Sequence, residues 1–238
     1  MKARPTPVAA LRRGRGAVPK KRSAKSPQTR LPHATRRAQI LAQAAEFFAA
    51  HGLAAQTRAL AEVCGISQRL LYRFFPNKAA LIEEVYKAEI AGPFQAVWFA
   101  ELSDRSRPVE DRLVAFYRQY CDRVLTERWL RLFLYAALAD TGMAPAYISA
   151  IIAHMLDVIV GEAAHELGLE PPSDPALRRE LGWALHGAVS HLAIRHWIYR
   201  NASGAPEAAV LAMYVRVFLV GLQGALPPAR SPAHDVVS

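Results

Sequence analysis

"GISQRLLYRFFPNK", Gly65 to Lys78, crowds bulky apolar residues against basic ones. It is either a core helix with stray charges or a helix that offers its charged side outward. Placing residues 68–75 on a helix at about 100° per residue separates the two kinds of side chain. With Gln68 at zero, Tyr72, Arg69 and Arg73 fall within roughly 140° on one side, and Leu70, Phe74, Leu71 and Phe75 occupy about 200° to 340°. The polar and cationic groups share one face and the purely apolar ones share the other. Ser67 stands where it can cap the helix by accepting from free amides of the first turn.

Just upstream, "TRALAEVCGIS" predicts a short helix from about Thr57 to Cys64, with Leu60 and Val63 facing inward. Ala61 is small where two helices cross, and Gly65 follows four residues later, where a tight turn tolerates positive φ. With Leu71 and Phe74 as later anchors, this is the spacing of a helix-turn-helix, whose second helix enters the major groove of DNA. Further upstream, "ATRRAQILAQAAEFFAAHG" predicts a helix that Thr35 can cap. Its stripe runs through Ile40, Leu41, Ala44, Ala45, Phe47 and Phe48 before Gly52 stops it. Downstream, Pro76-Asn77 breaks the chain and a longer helix starts near Lys78.

Together, "RRAQILAQAAEFFAAHGL…TRALAEVCGISQRLLYRFFPNKAALIEEVY" resembles the DNA-binding domain of the TetR/AcrR family of bacterial regulators over about residues 36–86. The "A-x-x-F-F-x-x-x-G" pattern of the first helix and the "LYR-x-F-x-x-K-x-x-L" ending carry the likeness. One departure is visible: the linker between Gly52 and Ala61 is a residue shorter than the family's commonest form, and Gln56 stands where a Thr often does. Under this resemblance Gln68 and Arg69 lie at the N-terminal end of the recognition helix. Arg can donate bidentately to guanine and Gln can pair with adenine, although both residues can also grip phosphate or stay solvated. The resemblance assigns Tyr72 to phosphate, the plain alternative being a ring that shields the helix surface. Arg73 is a phosphate or base contact, Lys78 suits a phosphate at the start of the fourth helix, and Ser67 is a contact or only a cap. Thr57 and Arg58 are expected to open the second helix beside the DNA backbone, Thr57 doubling as its cap.

Charge is unevenly spread. Of 30 Lys and Arg, twelve lie within residues 1–37, which contain no acid, leaving 18 against 20 Asp and Glu in the remainder. Such an arm can add salt-dependent, non-specific affinity for DNA or serve as a solvated tail. Residues 1–33 are therefore read as a disordered basic arm, 34–86 as the DNA-binding domain, 87–226 as a larger helical domain and 227–238 as a disordered tail. Two cysteines, Cys64 and Cys121, have no metal spacing and suit a reducing compartment. No signal-peptide core or uninterrupted membrane-length apolar run stands out, so a soluble cytoplasmic protein with no membrane partner is expected.

Beyond residue 90 helices are predicted at about 94–102, 108–126, 128–140, 145–167, 175–200 and 206–223, with a break at Gly92-Pro93. No stretch alternates with period two long enough for a strand, and the fold class is all-α. The resemblance implies a homodimer with a ligand cavity among the later helices. Two stripes fit a four-helix interface between copies: Ala184, Gly187, Ala188 and His191, and Val210, Met213, Tyr214, Val217 and Phe218. The same stripes would also suit an intrachain core. Candidate pocket residues are Trp98, Phe116, Tyr120, Trp129, Phe133, His154 and Trp183, for a small apolar or amphipathic effector, though any one of them can be ordinary core.

Catalysis has no support in the sequence. His186, His191 and His196 recur every five residues, which turns each by about 140° and scatters them around a helix. His154 and His165 share a face but stand about 16 Å apart. No cofactor, nucleophile motif or phosphate-cradling loop is expected. The reading is a sequence-specific, ligand-responsive regulator, most simply a repressor acting as a homodimer on a double-stranded operator. The alternative is a helix-turn-helix protein that organises DNA without an effector.

Overall fold

The computed structural model describes residues 32–139 and 141–229, so the expectations for most of the basic arm and for the C-terminal tail lie outside the described residues. α1 (His33–His51) turns its stripe of Ile40, Ala44, Ala45, Phe47 and Phe48 into the core. It begins two residues before Thr35, which therefore does not cap it. In its first turn the His33 ring centre lies 4.6 Å from that of Phe74. α2 (Thr57–Val63) buries Thr57, Leu60 and Ala61. Val63, expected to face inward, is 59% exposed. It lies about 110° from the centre of the buried stripe formed by residues 57, 60, 61 and 64.

α2 ends at Gly65, with φ +62°. The Gly65 amide donates to the Glu62 carbonyl and the Ile66 amide to the Ala61 carbonyl, at 3.1 and 3.0 Å. This paired closure needs the left-handed conformation that glycine adopts without a Cβ clash. α3 (Gln68–Phe74) starts at Ser67, whose hydroxyl accepts from the Leu70 amide at 3.2 Å. α4 (Lys78–Tyr86) starts at Asn77, whose side chain accepts from the Ala80 amide at 2.8 Å. At the expected domain boundary the helix does not end. It runs on as a π turn over Lys87–Ala91 before the break at Gly92-Pro93.

The larger domain contains α5 (Val97–Leu102), α6 (Val109–Arg123) and α7 (Glu127–Leu138), then α8 (Met143–Tyr147) and α9 (Ala153–Leu167), α10 (Pro175–Trp197) and α11 (Glu207–Ala225). α8 and α9 are one continuous rod joined by a π turn over Ile148–Ile152, so this helix starts before the expected residue 145. Among the described residues the only strand-like pairing is an isolated bridge between Leu169 and Pro228. α10 packs along α9, and α11 along α6. The α9–α10 approach is close at Gly182, where a Cβ would come within 2.8 Å of the Leu156 Cβ.

One end of the bundle is tied by a charged cluster that pattern reading missed. Arg112 is 2% exposed. Its guanidinium donates to the Leu102 carbonyl, to the Arg107 carbonyl at 3.0 Å, and to Glu162 and Glu166, each at 3.0 Å. Arg105 also donates to both oxygens of Glu162, and Glu166 accepts from the Val109 amide at 2.7 Å. The turn before α6 is thereby fastened to α9. The rod Met143–Leu167 and α11 are long and apolar enough to cross a membrane by length and composition. Both pack against other helices of the bundle, which buries 39% and 33% of those apolar windows.

Candidate nucleic-acid interface

The α2–turn–α3 unit presents a continuous polar face. Leu71 and Phe75 are 0% and 1% exposed and hold α3 down, with Phe74 half-buried beside them. Arg37 of α1 braces this packing, with its guanidinium 4.9 Å from the Phe75 ring centre and 3.1 Å from Glu84. On the opposite side Gln68, Arg69, Tyr72 and Arg73 are exposed, as the helical wheel requires.

Thr57 joins two of these residues. Its hydroxyl accepts from Gln68 Nε2 at 3.0 Å and lies 2.8 Å from the Tyr72 hydroxyl. Thr57 is itself buried, and Gln56 rather than Thr57 occupies the cap position of α2, without a side-chain cap bond. The expected cap is therefore corrected: Thr57 is the hub that orients Gln68 and Tyr72. Spacing could not have revealed this, because the residues are 11 and 15 positions away and meet only once the turn is folded.

Arg69 and Arg73 form no salt bridge with the described residues, so their charges remain available to an outside anion. Arg58 is paired with Glu62 at 3.5 Å, with both side chains more than two-thirds exposed. Such a pair is worth little and exchanges readily for a phosphate. Lys78 is half-buried at the first position of α4, and Ser67 is committed to its cap. The face thus combines two unpaired guanidiniums with an amide and a phenol held in place. That set suits base edges and phosphates of a duplex.

Residues 40–85 match the family model described as "Bacterial regulatory proteins, tetR family". Over these residues the chain is similar to the tetR family. Solved structures extend the likeness along the chain. A TetR-like transcriptional regulator from Rhodococcus sp. RHA1 is 20% identical, covering 82% of this chain and 100% of its own, with a TM-score of 0.61. The fatty acid degradation regulator FadR from Bacillus halodurans is 16% identical over 78% and 98%, at 0.57. A tetR-family transcriptional regulator from Streptomyces coelicolor is 19% identical over 82% and 84%, at 0.55. At these identities the likeness is one of fold. No curated protein matches the chain.

Behind the helix-turn-helix domain, α10 and α11 carry an apolar surface. Met213, Val217 and Val220 are 50%, 66% and 63% exposed. Ala184 and His191 are exposed beside them, while Gly187, Ala188 and Tyr214 are half-buried. Val210 and Phe218 turn instead into the protomer's own core, so the α11 stripe divides between two duties.

The aromatic candidates divide as well. Tyr120, Trp129, Phe133 and Trp183 line a cavity of about 140 Å³, whereas Trp98 and Phe116 are packed against Tyr120 in the core outside it. His154 is exposed, its ring 4.5 Å from that of Phe99. Sequence reasoning missed Tyr147 and His186, both lining the cavity. Burial pushes the His186 imidazole down to about 4. Among the described residues no group of three or more His, Cys, Asp or Glu could hold a metal ion.

Proposed function

We propose that the protein is a homodimeric, effector-responsive transcriptional repressor that works in the cytoplasm by binding a double-stranded operator. The observation that carries the reading is the position of α7. On one face Trp129 and Phe133 line the cavity. On the other, Arg131 Nε donates to the Ala49 carbonyl at the end of α1 at 2.6 Å, and Arg128 pairs with Glu46 of α1 and Glu89 of the α4 extension at 2.6 and 3.0 Å. Trp129 Nε1 also donates to the Ile90 carbonyl in the π turn at 3.3 Å. An occupant that displaces α7 therefore moves the anchors of both α1 and α4.

The proposed mechanism is a population shift. The effector binds better to the conformation in which two recognition helices no longer match their half-sites, and by reciprocity it weakens DNA binding. Dimerisation through the exposed face of α10 and α11 supplies the second recognition helix, which half-sites about one helical turn apart demand. In this reading Gln68 and Arg69 reach base edges, Tyr72, Arg73, Arg58 and Lys78 hold phosphate, and the division between domains falls at residues 86/87.

The test is a gel shift on the promoter region beside the protein's own gene. The double variant Arg69→Ala, Tyr72→Ala should lose sequence-specific retention. Intact retention would overturn the assignment of α3. A protein that binds DNA yet never responds to compounds that raise its melting temperature would favour the DNA-organising alternative.

A further inference from the structure

This inference rests on the effector-sensing reading and narrows it to a class of molecule. The cavity of about 140 Å³ lies between α6, α7, α10 and the rod of α8 and α9. Trp129 and Phe133 stack along it with ring centres 4.8 Å apart and planes 12° from parallel, and Tyr147 stands edge-on to both at 5.8 and 6.1 Å. An apolar cavity of about 150 Å³ is enough to take a benzene ring.

Three lining side chains carry a buried polar atom without a partner among the described residues: the hydroxyls of Tyr120 and Tyr147, and His186 Nδ1. Those residues are 0%, 4% and 4% exposed. The two phenol oxygens lie near enough for a weak mutual hydrogen bond to shift each other's ionisation, but its geometry is too poor to satisfy either, and it leaves His186 Nδ1 untouched. Buried groups of this kind ordinarily find a partner, because leaving one unmade is costly. A ligand hydroxyl can donate or accept and so suits any of the three.

The lining has no Lys, Arg, Asp or Glu. His186 is neutral at physiological pH, because burial pulls it down to about 4, and burial holds Tyr147 up to about 12. A charged occupant would lose its hydration and meet no countercharge. A single ring matches a volume of this size.

We propose that this cavity binds a neutral, single-ring aromatic molecule bearing a hydroxyl, its ring against Trp129 and Phe133 and its hydroxyl on Tyr120, Tyr147 or His186. The experiment uses the full-length protein with p-cresol, toluene, benzoate and decanoate, followed by titration calorimetry and thermal melting. The expected result is that p-cresol binds at least tenfold more tightly than toluene and that benzoate and decanoate bind more weakly still. Tyr120→Phe and Tyr147→Phe remove only a hydroxyl. Each should leave the ligand-free melting temperature at or above that of the parent while at least one weakens p-cresol fivefold or more. Absence of p-cresol binding, toluene binding as tightly as p-cresol, or preference for either acid overturns the assignment. Release of the retained DNA fragment is measured in parallel. If p-cresol binds as expected without releasing DNA, the ligand class stands and the sensing reading falls. If decanoate releases DNA while p-cresol fails to bind, the ligand class falls and the sensing reading stands.

Discussion

Thr57 holds together the two halves of the polar face. Its one hydroxyl serves Gln68 and Tyr72, so the orientation of both depends on a residue that is itself buried. Thr57→Val keeps the shape and removes the oxygen. The fold should lose about 1 kcal/mol, the net worth of a typical hydrogen bond. Operator affinity should fall several-fold in a gel shift although Thr57 need not touch DNA. Thr57→Ser, which restores the oxygen, should recover most of the affinity. Arg69 differs in kind, because none of the described residues pairs with it. If it reads a guanine, Arg69→Ala should cost about 1–3 kcal/mol at one operator position and leave the rest of the site unchanged.

At the scale of elements, the turn between α5 and α6 is held by charge rather than by packing. Arg112 is buried with carboxylates of α9 beside it, and removing it leaves Glu162 to Arg105 and Glu166 to the Val109 amide and solvent. Arg112→Ala should cost about 1.5–3 kcal/mol in denaturant unfolding, the range for losing a hydrogen bond to a charged group. The same cluster gives a pH dependence with a defined sign. The hydrogen bond from Arg105 is the leading cause that holds the Glu162 carboxyl below its ordinary range, aided by Arg112 and opposed by burial. A carboxyl depressed in the folded state contributes stability that is complete above its unfolded value and disappears as pH falls through the folded one. Melting temperature should therefore fall as pH drops from the ordinary carboxylate value towards the depressed one, and Arg105→Ala should make that fall smaller.

For the whole molecule, coupling and assembly are separable. Val217 is 66% exposed in the protomer, so Val217→Asp should leave the protomer's melting profile nearly unchanged. It would bury two charges in a dimer interface, and sedimentation should show a monomer with weakened operator binding. Arg131 joins α7 to the end of α1 through its bond to the Ala49 carbonyl. Arg131→Ala should keep effector-induced stabilisation but reduce the effect of the effector on DNA affinity, measured as the ratio of operator Kd with and without effector.

Much of this organisation follows from the chain as written. Gly65, the split of residues 68–75 into two faces and the caps at Ser67 and Asn77 are local matters. Periodicity and turn chemistry act over a few residues, so a sequence determines them without help from the rest of the fold. The helices of the larger domain were legible for the same reason, whereas the likeness of the first domain to the tetR family came from resemblance of its motifs. Other features depend on residues far apart in sequence: Thr57 with Tyr72, Arg112 with Glu166, and Tyr147 and His186 around one cavity. The sequence likewise grouped Val210 with Val217, whereas packing sends the first into the core and leaves the second outside. A helical stripe tells which side chains share a face, but not which neighbour covers it. Only the tertiary structure decides that, because each burial or hydrogen bond needs a partner that the chain brings into reach when all its helices pack together.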